Sequence, residues 1–337
     1  MNGWFSGKKV LLVGGTGTIG QSLLRHILAD HPEVVRIFSR DEYKQFQLQQ
    51  EYKEFTNIRF LIGDVRDYAR VERAMQDIDY VFHTAAMKHV PACEYNPFEA
   101  VQTNIIGTQN VIQAALACNA KKVVFTSTDK AISPTNTYGA SKLMAERLFT
   151  AAQYQAGSKK TIFAAVRFGN VMGSRGSVIP LFKWQIEHKR KITVTCKEMT
   201  RFMMTLQEAT ELTMKAMELA QGGETFVLKM PVIKLNDLAD VVIQSSSHVL
   251  NISPEDIEVE SIGLRPGEKM YEELMTEEES VHALETKEMY IILNPFLEPK
   301  DYINAKPAET KGYSSHEVQP INRKELQELL HRDHLLS

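Results

Sequence analysis

Cysteine is scarce and scattered: Cys93, Cys118 and Cys196 stand far apart in a chain of 337 residues. That spacing makes neither a CxxC pair nor the framework of a small disulfide-stapled domain, and it fits a reducing compartment. No apolar run reaches the about 18 residues that a membrane-crossing helix needs. The opening MNGWFSGKKVLLVGG moves at once into a short apolar strand, without the charged start, apolar middle and small-residue cleavage site of a secretory signal. A long basic run is missing too, and with a formal net charge of −3 no stretch would neutralise a nucleic-acid backbone. Internal repeats and low-complexity segments are absent. The expectation is a soluble cytoplasmic protein with no nucleic-acid, membrane or metal partner, which meets anionic ligands locally.

What the chain does have is a succession of short β-branched runs alternating with helical patterns. The runs are VLLV (10 to 13), VVRIFS (34 to 39), IRFLIGD (58 to 64), YVFHTA (80 to 85), VVFTS (123 to 127) and IFAAVRF (162 to 168). Runs that are apolar throughout, rather than alternating, predict parallel strands covered on both faces. The fold class expected is therefore α/β, a Rossmann-type doubly wound parallel sheet. The length exceeds one compact core, and after about residue 170 the rhythm loosens into shorter elements such as FVLKM and IEVESIG. The expected division is a dinucleotide-binding domain over 1–170, carrying the reactive residues, and a smaller α/β substrate-binding region with a tail over 171–337, the chain crossing between them. INRKELQELL near the end reads as a short amphipathic helix.

GGTGTIG places Gly14, Gly17 and Gly20 directly between the strand VLLV and the helical pattern QSLLRHILA. Glycines there allow a tight turn, close approach of backbone to a pyrophosphate, and close packing of helix on strand. The phosphate then meets a helix N-terminus. The same stretch supplies Thr16, Thr18 and Ile19 to a dinucleotide. The second strand ends in Ser39 and Arg40 rather than in the acidic residue of an NAD-selective site. A hydroxyl and a guanidinium suit a 2′-phosphate, so NADP is favoured. Asp64, followed by Val65, either accepts from the adenine amino group or forms a turn. Ala85 and Ala86 leave room for a cofactor after the fourth strand, and Lys88 and His89 beyond them face either substrate or solvent.

Residues 126 to 142 read TSTDKAISPTNTYGASK. Tyr138 and Lys142 are four apart and share a face if this segment is helical. A tyrosine takes a hydroxyl proton only if its phenolate is reachable near pH 7, roughly three pH units below its usual value near 10 and so roughly 4 kcal/mol away. A nearby ammonium and an oxidised nicotinamide supply such a shift in a partly dry site. Thr128 lies at the strand end beside them, and Asp129 and Lys130 add a second pair of charges that hydride transfer alone does not require.

GGTGTIG, TSTDKA, YGASK, RFGNVMGSRGSVIPLF and RPGEKMYEELM together resemble the extended short-chain dehydrogenase/reductase family, and within it the inverting UDP-N-acetylglucosamine 4,6-dehydratases of pseudaminic acid and related pathways. The resemblance covers nearly the whole chain. It implies Tyr138 as base and Lys142 as its electrostatic partner in oxidation at carbon 4, with Lys130 as base at carbon 5 and Asp129 as acid for the departing carbon 6 hydroxyl. Those roles ask Asp129 to hold a proton and Lys130 to lack one. Hydride return to carbon 6 then gives UDP-2-acetamido-2,6-dideoxy-β-L-arabino-hex-4-ulose, with NADP tightly bound and recycled. Retaining relatives have Asp-Glu where this chain has Asp-Lys, and simple 4-epimerases lack the pair. Arg175, Val178, Arg201, Arg265 and Glu268, with Lys88, match the family's nucleotide-sugar contacts, and Asn170 either holds the sugar or diphosphate or caps a turn. The resemblance also implies a homo-oligomer, dimer or hexamer, and an aminotransferase downstream. A UDP-sugar 4-epimerase, a multifunctional dehydratase/epimerase and a non-catalytic NADP-binding sensor are the alternatives.

Overall fold

The structure, a computed structural model, describes residues 3–174, 176–264 and 267–336. Six strands, β1 (Lys9–Val13), β2 (Val34–Ser39), β3 (Ile58–Ile62), β4 (Tyr80–His83), β5 (Lys122–Thr126) and β6 (Ile162–Arg167), form a parallel sheet in the order β3-β2-β1-β4-β5-β6. Thr225–Leu228 joins it in parallel beside β6, and Met289–Ile292 and Ala283–Glu285 follow antiparallel. The chain therefore returns to this sheet from the second half of the sequence.

The continuous apolar runs follow from the two-sided cover. Val10 and Leu12 of β1 pack with Leu23, Leu24 and Ile27 of helix Thr18–Ala29 on one face. Leu11 and Val13 pack on the other with Val71, Val111 and Phe149 from helices Tyr68–Met75, Gly107–Cys118 and Thr137–Gln155. Successive residues of a strand point to opposite faces, so neither set can be polar. A doubly wound α/β sheet results, and its ligands sit beyond the carboxyl ends of the strands.

A second apolar cluster joins Ile179, Phe182 and Ile186 of helix Val178–Lys189 to Leu238 and Val242 of helix Leu235–Leu250, with Leu326 and Leu330 of the last helix, Arg323–Arg332, closing it. Beside it, Asn170–Val171, Thr200–Met204 and Val232–Lys234 make a small three-stranded sheet. Among the described residues no helix is long and apolar enough to cross a membrane, and all three cysteines are free thiols.

Candidate active site

The glycine turn is built as the spacing predicts. Gly14 has φ +87°, a left-handed conformation that favours glycine, and a Cβ there would lie 2.6 Å from the Ala85 nitrogen. At Gly20 a Cβ would meet the Gly14 carbonyl oxygen at 2.6 Å, so the helix starts tight against the loop. Gly17 caps that helix without a side chain of its own, and Thr18 and Ile19 open its first turn, leaving backbone N–H groups directed at an anion. The buried Thr16 accepts from the Gln21 amide through its carbonyl at 2.9 Å. At the end of β2, Ser39 is fixed by the Gln45 amide at 3.0 Å, and the exposed Arg40 guanidinium stands 3.6 Å from Asp64. Asp64 also caps its own turn by accepting from Arg66 N–H at 3.0 Å. The Val65 carbonyl accepts from Asn110. These residues surround a cradle that fits a dinucleotide: close backbone approach, a helix N-terminus for pyrophosphate and a cation at the ribose end.

Where β5 and β6 end, their loops zip together. Ser127 N–H donates to Val166 at 2.6 Å and Asp129 N–H to Phe168 at 3.2 Å, which holds the one-turn 3₁₀ segment Asp129–Ala131 above the sheet. Asn136 caps the next helix by accepting from Gly139 N–H at 2.8 Å, and that helix presents Tyr138 and Lys142 inward, both buried. The Lys142 ammonium donates to the Thr126 carbonyl at 2.7 Å and lies 3.8 Å from the centre of the Phe125 ring. Burial pushes Lys142 down to about 7. Tyr138 is pushed up to about 12 by burial, against the opposing pull of Lys130 and of its hydrogen bond with Thr128. In the protein alone, then, the help toward a phenolate comes from Lys130 and Thr128 rather than from Lys142.

The protonation asked of Asp129 and Lys130 is reversed in this structure. Lys130 Nζ lies 3.0 Å from Asp129 Oδ2, and Thr128 donates to Oδ1 at 2.7 Å. Burial favours a neutral Asp129, but Lys130, Glu272 and Thr128 outweigh it and hold the carboxyl below its usual range. Burial likewise disfavours charge on Lys130, and Asp129 and Glu272 overcome it to hold the ammonium well above its usual value. An ion pair stabilises both charged forms.

Two of the expected substrate contacts are engaged inside the protein. The Asn170 amide donates to both oxygens of Glu272 at 2.9 Å and to the Phe202 carbonyl at 3.1 Å. Arg201 donates to the carbonyls of Thr200 at 2.8 Å and Lys269 at 2.9 Å, with its Nε 3.4 Å from Glu272 and Nη2 3.8 Å from Glu268. Val178 opens helix Val178–Lys189 behind Ser177. Arg175 and Arg265 lie outside the described residues. His89, next to Lys88, packs against Gly176, and Ala86 follows Ala85 in the loop after β4.

The sequence reading missed Glu272 and Asn104. Asn104 sits in a π-helical stretch, Val101–Ile106, and its side chain holds Met87 by both backbone groups and Ser141 Oγ at 2.9 Å, tying the loop after β4 to the tyrosine-bearing helix. No local pattern announces it. Glu272 lies within RPGEKMYEELM, four residues after the Glu268 that was singled out. Its pairing with a turn some 140 residues upstream (|i−j| = 142) is invisible to spacing.

Comparison with known proteins follows the same lines. The family model described as polysaccharide biosynthesis protein matches residues 10–294. The inverting UDP-N-acetylglucosamine 4,6-dehydratase of Campylobacter jejuni subsp. jejuni serotype O:23/36 is 41% identical over 299 residues, covering 88% of this chain and 86% of that protein. A protein named UDP-glucose 4-epimerase from Rickettsia bellii is 40% identical over 339 residues, covering 97% and 96%. The X-ray structure of Pen from Bacillus thuringiensis is 59% identical, covers 98% of this chain and 99% of that one, and superposes with a TM-score of 0.93.

Proposed function

This chain belongs to the polysaccharide biosynthesis protein family, on the short-chain dehydrogenase/reductase fold, and we propose that it is an NADP-dependent UDP-N-acetylglucosamine 4,6-dehydratase that inverts carbon 5. The observation that carries this reading is the buried Asp129 and its ion-pair partner Lys130, held in one turn that packs on the helix bearing Tyr138. Epimerisation at carbon 4 needs the tyrosine and a hydride carrier. An acid and a base beside them serve loss of water.

A bound NADP supplies the hydride chemistry, as acceptor at carbon 4 and donor at carbon 6. Tyr138 takes the carbon 4 hydroxyl proton, aided by Lys130 and Thr128, with Lys142 one helical turn on from it. The ketone so formed acidifies carbon 5. The Asp129–Lys130 turn takes that proton and gives one to the leaving hydroxyl at carbon 6, and a proton delivered to the opposite face of carbon 5 inverts it. Arg40 and Ser39 hold the 2′-phosphate. Lys88, Asn170, Val178, Arg201 and Glu268 line the nucleotide-sugar side, with Arg201 and Asn170 shaping it through Glu272.

Incubation of the protein with UDP-N-acetylglucosamine in deuterium oxide, without added reductant and followed by proton NMR, tests the reading. The expected result is a new 6-methyl signal with deuterium at carbon 5 and the L-arabino coupling pattern. The likeness to proteins named UDP-glucose 4-epimerase favours a second reading, a 4-epimerase. A galacto isomer with no 6-methyl signal would establish it instead.

A further inference from the structure

Residues 267–272 cross the loop that leads from the reactive turn into the tyrosine-bearing helix. The Gly267 carbonyl accepts from Thr135 Oγ1 and from the Asn136 amide, each at 3.0 Å. Gly267 has φ +77°, and a Cβ there would lie 2.9 Å from the Asn136 Cβ, so its backbone packs directly on the helix cap. Lys269 Nζ donates to the Ile132 carbonyl at 2.9 Å, and Glu272 Oε1 lies 3.5 Å from Lys130 Nζ. The two segments therefore meet in antiparallel order, Gly267 with Asn136, Lys269 with Ile132 and Glu272 with Lys130.

The same segment is gripped from the side given to the nucleotide-sugar. Arg201 donates to the carbonyls of Lys269 at 2.9 Å and Met270 at 3.3 Å, and its Nη2 stands 3.8 Å from Glu268 Oε1. Adjacent residues thus belong to two sites: Glu268 to the nucleotide side, Lys269 to the turn that carries Asp129 and Lys130.

Ile132 is the residue that closes that turn. Its N–H donates to the Asp129 carbonyl at 3.1 Å, and its own carbonyl takes Lys269 Nζ. Ser133 beside it has φ +43°, a left-handed conformation uncommon outside glycine. Such a conformation persists only where its surroundings over-determine it. Here Lys269 fixes the loop before Ser133 and Gly267 fixes it after, so the bend is held from outside the loop.

We propose that Lys269 is a positioning residue that couples the two sites. Contacts of Arg201 and Glu268 with the nucleotide fix residues 267–272, and Lys269 passes this through the Ile132 carbonyl to the turn bearing Asp129 and Lys130. The inference rests on the nucleotide-sugar dehydratase reading. The part of the substrate that does not react then sets the groups that do, so its binding energy appears in kcat and not only in KM. Tyr138 depends on this less, because its helix is capped by Asn136 accepting from Gly139 N–H, a contact in which Lys269 has no part.

Uridine diphosphate offers the nucleotide side without the sugar, so it separates the two sites. In hydrogen–deuterium exchange of the NADP-loaded whole protein, it is expected to slow exchange in the wild type at residues 267–272 and at 129–136. In Lys269→Met the slowing is expected at 267–272 alone. With UDP-N-acetylglucosamine, kcat for dehydration by Lys269→Met should fall about 10-fold, within the usual range of coupling between sites, with KM unchanged or lower. Deuterium uptake at carbon 5 should fall more than reduction of the dinucleotide at carbon 4. Lys269→Arg keeps a donor and should restore part of both. A lysine that merely stabilised the fold would lower the urea midpoint and leave kcat per folded enzyme, and the balance between carbon 5 and carbon 4, as in the wild type. That result, or uridine diphosphate that binds the wild type and slows exchange at 267–272 only, overturns the coupling. A wild type that binds no uridine diphosphate, or forms no 6-deoxy product, overturns the dehydratase reading instead.

Discussion

Gly139 lies against the carbonyl of Lys130 so closely that a Cβ at that position would overlap the oxygen. This contact sets how near the tyrosine-bearing helix comes to the Asp129–Ala131 turn, because both partners are backbone and neither can swing aside. Gly139→Ala is expected to force them apart. Overpacking of this kind costs about 1–3 kcal/mol, readable as a lower urea midpoint. Turnover should fall by more than the loss of folded protein accounts for, since Tyr138 and Lys130 then separate. A variant with wild-type turnover would show that the contact relaxes freely.

Asp129→Asn and Lys130→Met should split the reaction at different points. Removing the amine at 130 is expected to abolish deuterium uptake at carbon 5, while removing the acid at 129 should leave oxidation at carbon 4 and slow loss of water by about 10²–10⁴-fold. Rapid-mixing absorbance of the reduced nicotinamide, with NMR of carbon 5, reads both. Equal loss of every step in both variants would place the pair in binding rather than in elimination.

Lys142 makes a prediction about stability. Its usual value is 10.5, and burial pushes it down to about 7 in the folded protein. Between those values the unfolded chain holds a proton there that the folded chain lacks, so stability rises with pH across that window. Below about 7 both states are protonated, and the cost of burying the ammonium is complete. Urea denaturation of the dinucleotide-free protein at pH 7 and 9.5 should show a gain in wild type that Lys142→Met lacks, on the order of a few kcal/mol. Lys130, common to both proteins and shifted upward, cancels in the comparison.

How far the sequence reaches is clear from particular elements. The strand VLLV is read correctly, as Lys9–Val13, because a strand buried on both faces has no polar side and its apolar run is continuous. The glycine turn is legible because only glycine fits at Gly14 and Gly20. The Tyr138 and Lys142 pair is legible because helical spacing places both on one face. Charge state is not legible in the same way. Asp129 and Lys130 are adjacent in sequence, but their protonation depends on Glu272, brought to them by a fold that joins the Glu273–Met275 strand to Tyr313–Ser314. Arg201, read in sequence as a nucleotide-sugar contact, also donates to the carbonyls of Lys269 and Met270, partners that its local sequence does not announce.

The proposed preference for NADP turns on Arg40. Its guanidinium is exposed at the end of β2 and paired with Asp64 only at 3.6 Å, so it is free to leave that partner for a 2′-phosphate, a group that a guanidinium can bind with two hydrogen bonds. Arg40→Ala is expected to weaken NADP about 10–100-fold, the scale of losing a charge-assisted bidentate contact, and to leave NAD nearly unchanged. Calorimetric titration with each dinucleotide decides this. Equal affinities in the wild type would remove the NADP preference.

Arg167, the last residue of β6, joins parts of the site that are far apart in sequence. Its side chain is 1% exposed, yet it meets Glu146 of the tyrosine-bearing helix at 2.5 Å, Glu279 at 2.9 Å and the Leu274 carbonyl at 2.8 Å. Burial opposes its charge, and the two carboxylates restore it. Arg167→Met would leave two buried carboxylates facing each other without a cation, a change that costs about 3–5 kcal/mol. Arg167→Lys should recover only part of this, because an ammonium cannot present the planar fork that reaches both acids. The segment it anchors begins one residue after Glu272. Urea midpoints of the two variants test this, and an Arg167→Met protein as stable as wild type would show that the buried ion pairs with Glu146 and Glu279 add nothing to the stability of the fold.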